Sequence, residues 1–306
     1  MDKYSVAVCV STYKRPLGLG RLLESLRTQK FVNNEALRWK IVVVDNDELA
    51  TNEDYVKALG KDFPVPIIYG VQPKRGIASA RNLAVELAGD VDYVAFIDDD
   101  EVADHDWLDT LLMGLIQYKA DIVAGPVLPA FEVTPKEWIL RGGFFDRPRH
   151  QTGEEIKLSG TGNMLVSQKW LCKWPGPFDE RLNFIGGSDS LFFINAYRMG
   201  AKIIWVDEAT VDEYNSPQRA NLKWILKRNL RMGNTIVHVE RISEEPIWKR
   251  IIRVIKCGGH LFGGILLLIP YGLFFGFAGI VKSLCIFCRG VGELIGKLSF
   301  QYEIYK

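Results

Sequence analysis

Apolar residues follow two alternating patterns over roughly the first 125 positions. Short, mostly β-branched runs at 6–10, 41–44 and 93–97 have the length and composition of buried strands. Between them apolar residues recur three or four positions apart, as at Leu19, Leu22, Leu23 and Leu26, which predicts amphipathic helices. Strands alternating with helices predict a parallel sheet covered by helices.

The pattern becomes irregular over residues 131–158, which carry Pro135, Gly142 and Gly143 and are typical of a long surface excursion. A strand near 164–166 follows. A helix is then predicted from about Ser188 to Met199, with Gly200 as its cap, and a last strand over 203–206.

The C-terminal part differs in kind. From Cys257 to Val281 there is no Asp, Glu, Lys or Arg, and this run exceeds the roughly 20 residues that cross a bilayer as a helix. Pro270 lies in its middle, so the run either spans the membrane or enters and returns as a bent hairpin. Residues 283–300 are apolar with sparse charges, as in an interfacial segment. A helical hairpin packed inside a soluble protein is the remaining alternative. We expect a catalytic domain over 1–235 and a basic, membrane-associated region over 236–306.

Charge refines this picture. The chain of 306 residues has 38 Lys and Arg against 37 Asp and Glu, so wholesale nucleic-acid binding is not favoured. Basic residues concentrate between Arg219 and Lys256, next to the apolar run, which predicts a cytoplasmic, lipid-facing edge. The five cysteines are irregularly spaced and the chain opens directly on a strand-like segment, so we expect reduced thiols and no secretory signal.

Polar side chains follow three of the predicted strands at the point where each ends. Ser11-Thr12 follows the first strand, Asp45-Asn46-Asp47 the second, and Asp98-Asp99-Asp100-Glu101 the one over 93–97. Ligands of open parallel sheets bind beyond these carboxyl ends. Four consecutive acids exceed what helix capping needs and repel one another, which favours a hard divalent cation. A solvated acidic turn is the alternative.

Other common motifs are absent. Gly18 and Gly20 lack the third glycine of a dinucleotide fingerprint, and Gly296-Lys297 lacks the earlier glycine of a P-loop. No Gly-x-Ser-x-Gly is present.

Several stretches together resemble glycosyltransferase family 2, and within it the succinoglycan type of exopolysaccharide enzymes. These are VAVCVSTYKRP, IVVVDND, RGIASARNLAVELA, YVAFIDDDE, GTGNML, FDERLNFIGGSDSLFFINAYRMG, WVDEATVDEY and RNLRMGN. They run in the family's order over roughly residues 4–234. FIDDDE alone also fits the Asp-x-Asp of haloacid-type phosphatases, but those enzymes begin with that motif. The resemblance implies an α/β GT-A fold with a mostly parallel central sheet, beside the C-terminal hydrophobic helical segment, and an inverting transfer.

The matching positions also imply site residues. Thr12 and Asp45 would hold the nucleobase, usually uracil, and Arg81 would help bind the nucleotide, unless it is an exposed helix residue. Asp98 and Asp100 match the family's Asp-x-Asp, with Asp100 as the direct ligand of Mn²⁺ or Mg²⁺ and Asp98 on the ribose or a metal-bound water. Glu213 stands where many relatives have a metal-binding His.

Asp189 matches the general base that takes the proton from the acceptor hydroxyl, with Ser188 where the usual pattern has Glu. Asp189 as a helix cap is the structural alternative. Arg228 and Arg231 occupy the slot of the Gln-x-x-Arg-Trp motif of polymerising relatives. Met232 replaces its Trp, which favours addition of a single sugar. These arginines either clamp the diphosphate or form part of the basic membrane-facing surface.

The expectation is therefore an inverting hexosyltransferase at the cytoplasmic face of the bacterial inner membrane, peripheral or anchored by its C-terminal segment. It would move a sugar from a UDP-sugar, such as UDP-glucose, to a polyprenyl-linked saccharide in envelope polysaccharide biosynthesis. A non-catalytic nucleotide-sugar-binding scaffold is the main alternative. A sugar-nucleotide pyrophosphorylase is less favoured, because residues 12–16 contain no glycine.

Overall fold

The computed structural model describes residues 4–32, 37–298 and 300. Its strands are β1 (Tyr4–Thr12), β2 (Leu37–Asp45), β3 (Ile67–Val71), β4 (Tyr93–Ile97), β5 (Glu101–Ala103), β6 (Ile122–Ala124), β7 (Val127–Phe131), β8 (Asn163–Ser167), β9 (Ile203–Trp205) and β10 (Val211–Asn215). Its α-helices are α1 (Pro16–Arg27), α2 (Glu53–Gly60), α3 (Ile77–Ala88), α4 (Trp107–Gln117), α5 (Glu137–Gly142), α6 (Gln168–Leu171), α7 (Ser188–Arg198), α8 (Leu222–Ile242), α9 (Ile247–Leu266) and α10 (Leu268–Lys297).

A seven-stranded sheet in the order β3-β2-β1-β4-β8-β6-β9 forms the centre of the first compact unit, which comprises residues 1–130, 147–183 and 188–214. Strand β8 runs antiparallel to both its neighbours, and the other four pairings of this sheet are parallel. The predicted α/β architecture with a mostly parallel sheet is confirmed. A smaller sheet has the order β5-β10-β7.

Both faces of the large sheet are buried, because strand residues alternate between two hydrophobic clusters. On β1, Val6, Val8 and Val10 pack with the leucines of α1 and α4. Ala7 and Cys9 face the opposite way, against the alanines of α3 and the aromatic residues of α7. This burial on two sides explains why the strands are continuous apolar runs rather than alternating ones.

The second compact unit comprises residues 131–146, 184–187 and 215–306. It contains the long helices α8, α9 and α10, together with α5. Ile139, Phe145, Ile225, Val281 and Cys285 form a hydrophobic cluster within it. Among the described residues, α10 is the one helix long and apolar enough to cross a membrane by length and composition.

The helix α10 is not continuous. Gly276 has φ 59° and ψ −143°, so the helical conformation is interrupted at this residue. The bend was expected at Pro270, six residues earlier. A positive φ of this kind suits glycine, which has no Cβ.

Candidate active site

The predicted polar residues meet at one edge of the large sheet. Thr12 and Asp45 end adjacent parallel strands and are direct partners in the β1–β2 register. The backbone N–H of Asn46 donates to the carbonyl of Thr12 at 2.8 Å. Strand β4 lies on the other side of β1 and leads straight into Asp98. The sheet therefore delivers all three strand ends to the same place.

The four acids that follow β4 alternate in exposure. The side chains of Asp98 and Asp100 are 36% and 13% exposed, whereas that of Asp99 is 7% exposed and Glu101 is buried. Glu101 turns back and accepts the backbone N–H of Asp98 at 2.8 Å. The two more accessible carboxylates are thus those of the predicted Asp-x-Asp.

Two arginines neutralise this turn. Arg81 Nη2 lies 3.1 Å from Asp98 Oδ1, and Arg15 Nη1 lies 2.9 Å from both Asp99 Oδ1 and Asp100 Oδ2. Thr12 Oγ1 donates to Asp99 Oδ2 at 2.9 Å. Arg81 is only 8% exposed, so its interpretation as an exposed helix residue is wrong. Sequence reasoning missed Arg15, whose only signal was its position three residues after the strand end.

Burial changes the acidity of the two inner carboxyls. It raises the pKa of Asp99 to about 6, although Arg15 acts in the opposite direction. Burial and the nearby charge of Asp98 raise the pKa of Glu101 well above its usual range, Glu213 adds to this, and Arg147 opposes it. Both inner carboxyls are therefore harder to ionise than ordinary exposed carboxyls.

Glu213 lies beside the acidic turn. It is the partner of Glu101 in the antiparallel β5–β10 pairing, and Tyr214 N–H donates to the carbonyl of Asp100 at 2.8 Å. The Glu213 carboxylate is paired with Arg147, whose Nη2 lies 2.9 Å from Oε2. Burial disfavours the charge of Arg147, but Glu213, Glu101 and Asp98 raise its pKa overall. Sequence reasoning missed Arg147, which stands in an irregular loop without periodicity.

Asp45 is fully buried and its carboxylate accepts four hydrogen bonds. Oδ2 accepts from Asn52 N (3.1 Å), Asn52 Nδ2 (2.9 Å) and Tyr69 OH (2.8 Å), and Oδ1 accepts from Asp47 N (3.0 Å). Because none of its surface is exposed, a nucleobase imide could reach this carboxylate only if the surrounding residues moved. These hydrogen bonds also hold the loop after β2 and the ring of Tyr69 in place.

Asp189 is half-buried in the first turn of α7, where its Oδ1 accepts the N–H of Ser190 at 2.7 Å. This bond to the next residue is not an N-cap bond, which would reach two or three residues ahead. A Cβ at Gly160 would lie 3.5 Å from Asp189 Oδ2, and a Cβ at Gly162 would collide with the carboxylate of Glu101. The segment 160–162 thus connects the predicted base to the acidic turn.

Arg228 and Arg231 lie on α8, in the second compact unit. The guanidinium of Arg228 stacks over Phe145 and Trp224, at 5.7 Å and 5.4 Å from the ring centroids. These two rings are themselves stacked 5.5 Å apart. Arg228 is therefore anchored by aromatic contacts inside its own unit.

A separate cluster of side chains has its possible metal ligands already close together. Within the described residues, Asp104, His105 and Asp106 form the one group of three whose ligand atoms all lie within 4.8 Å of one another. Asp104 and His105 are exposed and already bonded to each other at 2.7 Å. Exposed groups of this kind are common on surfaces, and sequence reasoning did not select them.

The chain is similar to known glycosyltransferases in sequence, and to a solved structure in fold. The model of "Glycosyl transferase family 2" matches residues 7–174. The chain is 32% identical over 231 residues to the succinoglycan biosynthesis protein ExoM of Rhizobium meliloti (strain 1021), which covers 75% of this chain and 73% of ExoM. It is 27% identical over 244 residues to the glucosyl-dolichyl phosphate glucuronosyltransferase of Haloferax volcanii, which covers 76% and 75% of the two chains.

The fold is also that of a solved structure. S. aureus TarS 1–349 in complex with UDP superposes with a TM-score of 0.54 at 15% identity, over 98% of this chain and 93% of TarS. At that identity the likeness shows the fold alone, and it confirms the GT-A expectation. The matched family model and the ExoM likeness together show that this chain is a glycosyltransferase, a member of glycosyl transferase family 2.

Proposed function

We propose that this enzyme transfers a sugar, with inversion, from a UDP-sugar to a lipid-linked saccharide at the cytoplasmic face of the bacterial inner membrane, in exopolysaccharide assembly. One observation carries the chemistry. The two more accessible carboxylates of the acidic turn lie at the sheet edge that ends in Thr12 and Asp45, and the segment 160–162 runs from beside Asp189 to Glu101 at the end of this turn.

The donor would be bound by its nucleotide at the ends of β1 and β2. Thr12 and Asp45 fix the local backbone, and Arg81 holds Asp98 beside them. TarS, which shares this fold, was crystallised in complex with UDP, and this supports a UDP-sugar donor here. Arg228 and Arg231 stay predictions as ligands of the diphosphate.

The donor set of the acidic turn fits a hard divalent cation. Asp98 and Asp100 offer carboxylate oxygens, the ligands that Mg²⁺ and Mn²⁺ prefer, on the accessible side of the turn. All three carboxylates are paired with arginines in this structure, Asp98 with Arg81, Asp100 with Arg15 and Glu213 with Arg147, so a bound cation would share or replace these pairings. When bound, such a cation would neutralise charge on the departing diphosphate.

Asp189 would serve as the base. Its Oδ2 is not used by the N–H of Ser190, and it faces Gly160, where the missing side chain leaves room. A carboxylate so placed can take the proton from an acceptor hydroxyl as that oxygen attacks the anomeric carbon. The nucleoside diphosphate leaves from the opposite side of that carbon, so the configuration inverts.

The acceptor class is supported by the names of relatives. One acts in succinoglycan biosynthesis, and the other is named for a glucosyl-dolichyl phosphate. A lipid-linked acceptor also suits the apolar C-terminal helix and the basic residues that precede it.

The experiment is a donor panel run on membranes that carry the wild type, with native lipid extract as acceptor. We expect turnover of one UDP-sugar that requires Mn²⁺ or Mg²⁺ and is abolished by EDTA. Asp189→Asn should keep UDP binding and lose turnover by about 10²–10⁴-fold. Unchanged turnover in Asp189→Asn would contradict the assignment of the base, and absence of nucleotide-sugar binding in the wild type would contradict the proposed donor.

A further inference from the structure

The helix α9 has one face that is fully committed to packing. Arg253, Cys257, His260 and Gly264 lie along it at helical spacing and all contact the second half of α10. Cys257 Sγ donates to the carbonyl of Gly290 at 3.5 Å, and a Cβ at Gly264 would come within 2.6 Å of Phe287 N. This face cannot bind anything else.

Polar contacts reinforce the same face. The buried carboxylate of Glu293 on α10 accepts from Arg253 Nη1 at 3.3 Å and lies 3.1 Å from His260 Nδ1. Arg253 also reaches Glu240 on α8, 2.5 Å away. The inner face of α9 is therefore locked to two helices, which fixes the rotation of α9 about its own axis.

The opposite face of α9 is apolar and exposed. Residues on it keep more than half of their surface accessible: Ile247 71%, Ile251 55%, Ile255 69%, Phe262 72% and Leu266 75%. At about 100° per residue they centre roughly 180° from the packed face. An exposed apolar stripe along a whole helix of 20 residues is rare on a soluble surface and marks an interaction site.

Cations border this stripe on both sides. By helical geometry Arg250 lies at one edge and Lys256 at the other, and both are exposed. No acidic residue occurs in α9. Trp248, 55% exposed, stands at the start of the stripe. An apolar face edged with Lys or Arg, with Trp near its end, is the composition of a helix that lies in a membrane interface.

The chain after α9 reverses direction. The second half of α10 runs antiparallel to α9, since Gly264 contacts Phe287 whereas Arg253 contacts Glu293. The turn lies at Gly276, and the helical stretch of α10 that leads to it is apolar and exposed, as shown by Ile269 at 75%, Leu273 at 80% and Phe274 at 80%.

The reversal limits how deeply this turn can enter a bilayer. Lys282 is exposed and follows the break at Gly276 by six residues, about 9 Å along a helix. The hydrocarbon core is about 30 Å thick. A turn that reached the far side of the bilayer would leave Lys282 inside the hydrocarbon core on the returning arm, which is a costly position for a charge. The position of Lys282 therefore favours a turn that stays within one leaflet.

We infer that α9 lies flat in an anionic membrane leaflet, with Ile251, Ile255 and Phe262 in the acyl boundary and Arg250 and Lys256 at the headgroups. The turn around Leu273 and Phe274 dips into the same leaflet, so both arms of the hairpin stay on one side. This inference rests on the membrane-bound acceptor of the proposed function and specifies how the enzyme meets that membrane.

A bilayer fits this face better than a second copy of the chain. A two-fold contact through the stripe would bring the cationic edges of two helices together, with no acidic residue of α9 to balance them. Anionic headgroups balance them at every point along the helix.

Vesicle flotation of the full-length protein tests the surface. We expect binding to phosphatidylcholine vesicles that contain phosphatidylglycerol, and much weaker binding to phosphatidylcholine alone. Arg250→Gln with Lys256→Gln should weaken binding to the anionic vesicles by roughly 25-fold, at about fivefold for each cation removed. Ile255→Glu with Phe262→Glu should weaken it on the order of a hundredfold or more.

A matched control variant introduces two glutamates on an exposed surface away from α9. Leu158 and Met199 are 50% and 53% exposed in the first compact unit, so Leu158→Glu with Met199→Glu should leave vesicle binding unchanged. UDP binding in detergent is measured for every variant. Intact UDP binding without flotation of the wild type would overturn the inference while leaving the proposed donor chemistry standing. A wild-type dimer that the Ile255→Glu, Phe262→Glu variant dissociates would instead assign the stripe to a second copy.

Cysteine labelling tests the hairpin. In a background with Cys172→Ser and Cys288→Ser, Lys256→Cys and Lys282→Cys are each treated with a membrane-impermeant maleimide in sealed vesicles of both orientations. We expect both to react from the face where Leu158→Cys reacts. Labelling of Lys282→Cys from the opposite face would show that the run spans the bilayer and would overturn the inference.

Discussion

The guanidinium Nη2 of Arg147 lies 2.9 Å from Oε2 of Glu213, so the residue expected to bind metal is held by a cation of the chain itself. Glu213 is at the same time the strand partner of Glu101, behind the acidic turn. Arg147 therefore compensates the charge of carboxylates from two strands, and this compensation allows so many acids to pack at one sheet edge.

Loss of Arg147 should therefore destabilise the fold. Arg147→Met leaves Glu213 without its cation at a site where the carboxylate is only 13% exposed. We expect a loss of about 2 kcal/mol or more in the free energy of unfolding, less than for a fully buried pair because 32% of the Arg147 side chain is exposed. Urea denaturation measures it.

The control for Arg147 is a surface pair two residues away. Arg149→Met removes the partner of Asp207 from a pair whose side chains are 50% and 31% exposed, and should cost under about 1 kcal/mol. Adding Glu213→Gln to Arg147→Met should recover part of the loss. Equal effects of Arg147→Met and Arg149→Met would refute this account of the acidic edge.

Gly162 and Gly160 offer a pair of identical substitutions with different expected results. Gly162→Ala drives a methyl group into the carboxylate of Glu101 and should cost about 1–3 kcal/mol and most of the turnover. Gly160→Ala places a methyl group 3.5 Å from Asp189 Oδ2, an ordinary contact, and should leave stability unchanged. Thermal unfolding and transfer assays on both variants decide this, and a harmless Gly162→Ala would contradict the contact.

Metal dependence should distinguish the two acidic groups. Asp100→Asn and Asp98→Asn should raise the Mn²⁺ concentration needed for half-maximal turnover on the order of a hundredfold or more, since each would remove a carboxylate oxygen from the proposed metal site. Asp104→Asn changes the exposed cluster Asp104, His105 and Asp106 and should leave the requirement unchanged. A larger increase of this Mn²⁺ concentration in Asp104→Asn than in Asp100→Asn would assign the metal to the exposed cluster instead.

His238 should lower the free energy of unfolding as the pH becomes mildly acidic. Burial on α8 lowers the pKa of this histidine, and Arg241 acts in the same direction. The unfolded chain therefore takes up a proton near its ordinary pKa of about 6.5 while the folded chain resists it, so the free energy of unfolding declines as pH falls through that value.

Urea midpoints measured for the wild type and for His238→Gln between neutral and mildly acidic pH isolate this contribution, because glutamine does not titrate. The comparison is needed because burial raises the pKa of Asp99 to about 6, which acts in the opposite sense over the same range. We expect the difference in midpoint between the two proteins to change as pH falls, at the expense of the wild type. A difference that stays constant across the range would show that the burial of His238 has no energetic consequence.

Local patterning along the chain was enough to predict strands of the large sheet, several of the helices and part of the site, but not the small sheet β5-β10-β7. Runs of Val and Ile predicted the strands, leucine spacing predicted the helices, and strand ends placed Thr12, Asp45 and Asp98 at one edge of the sheet. Parallel strands must end together, so this juxtaposition follows from order along the chain. The order of the quoted motifs indicated the family, which the comparisons confirm.

Pairings between residues distant in sequence emerge only in the folded chain. Arg15 and Arg147 reach the acids from loops with no periodicity, and Gly162 packs on Glu101 from the turn that precedes β8. The apolar run Cys257–Val281 fits a span, a hairpin or an interfacial segment by composition alone. The break at Gly276 and the packing of α9 on α10 bend this run back on itself, which hydropathy does not predict, because backbone conformation and interhelical contacts are properties of the folded chain.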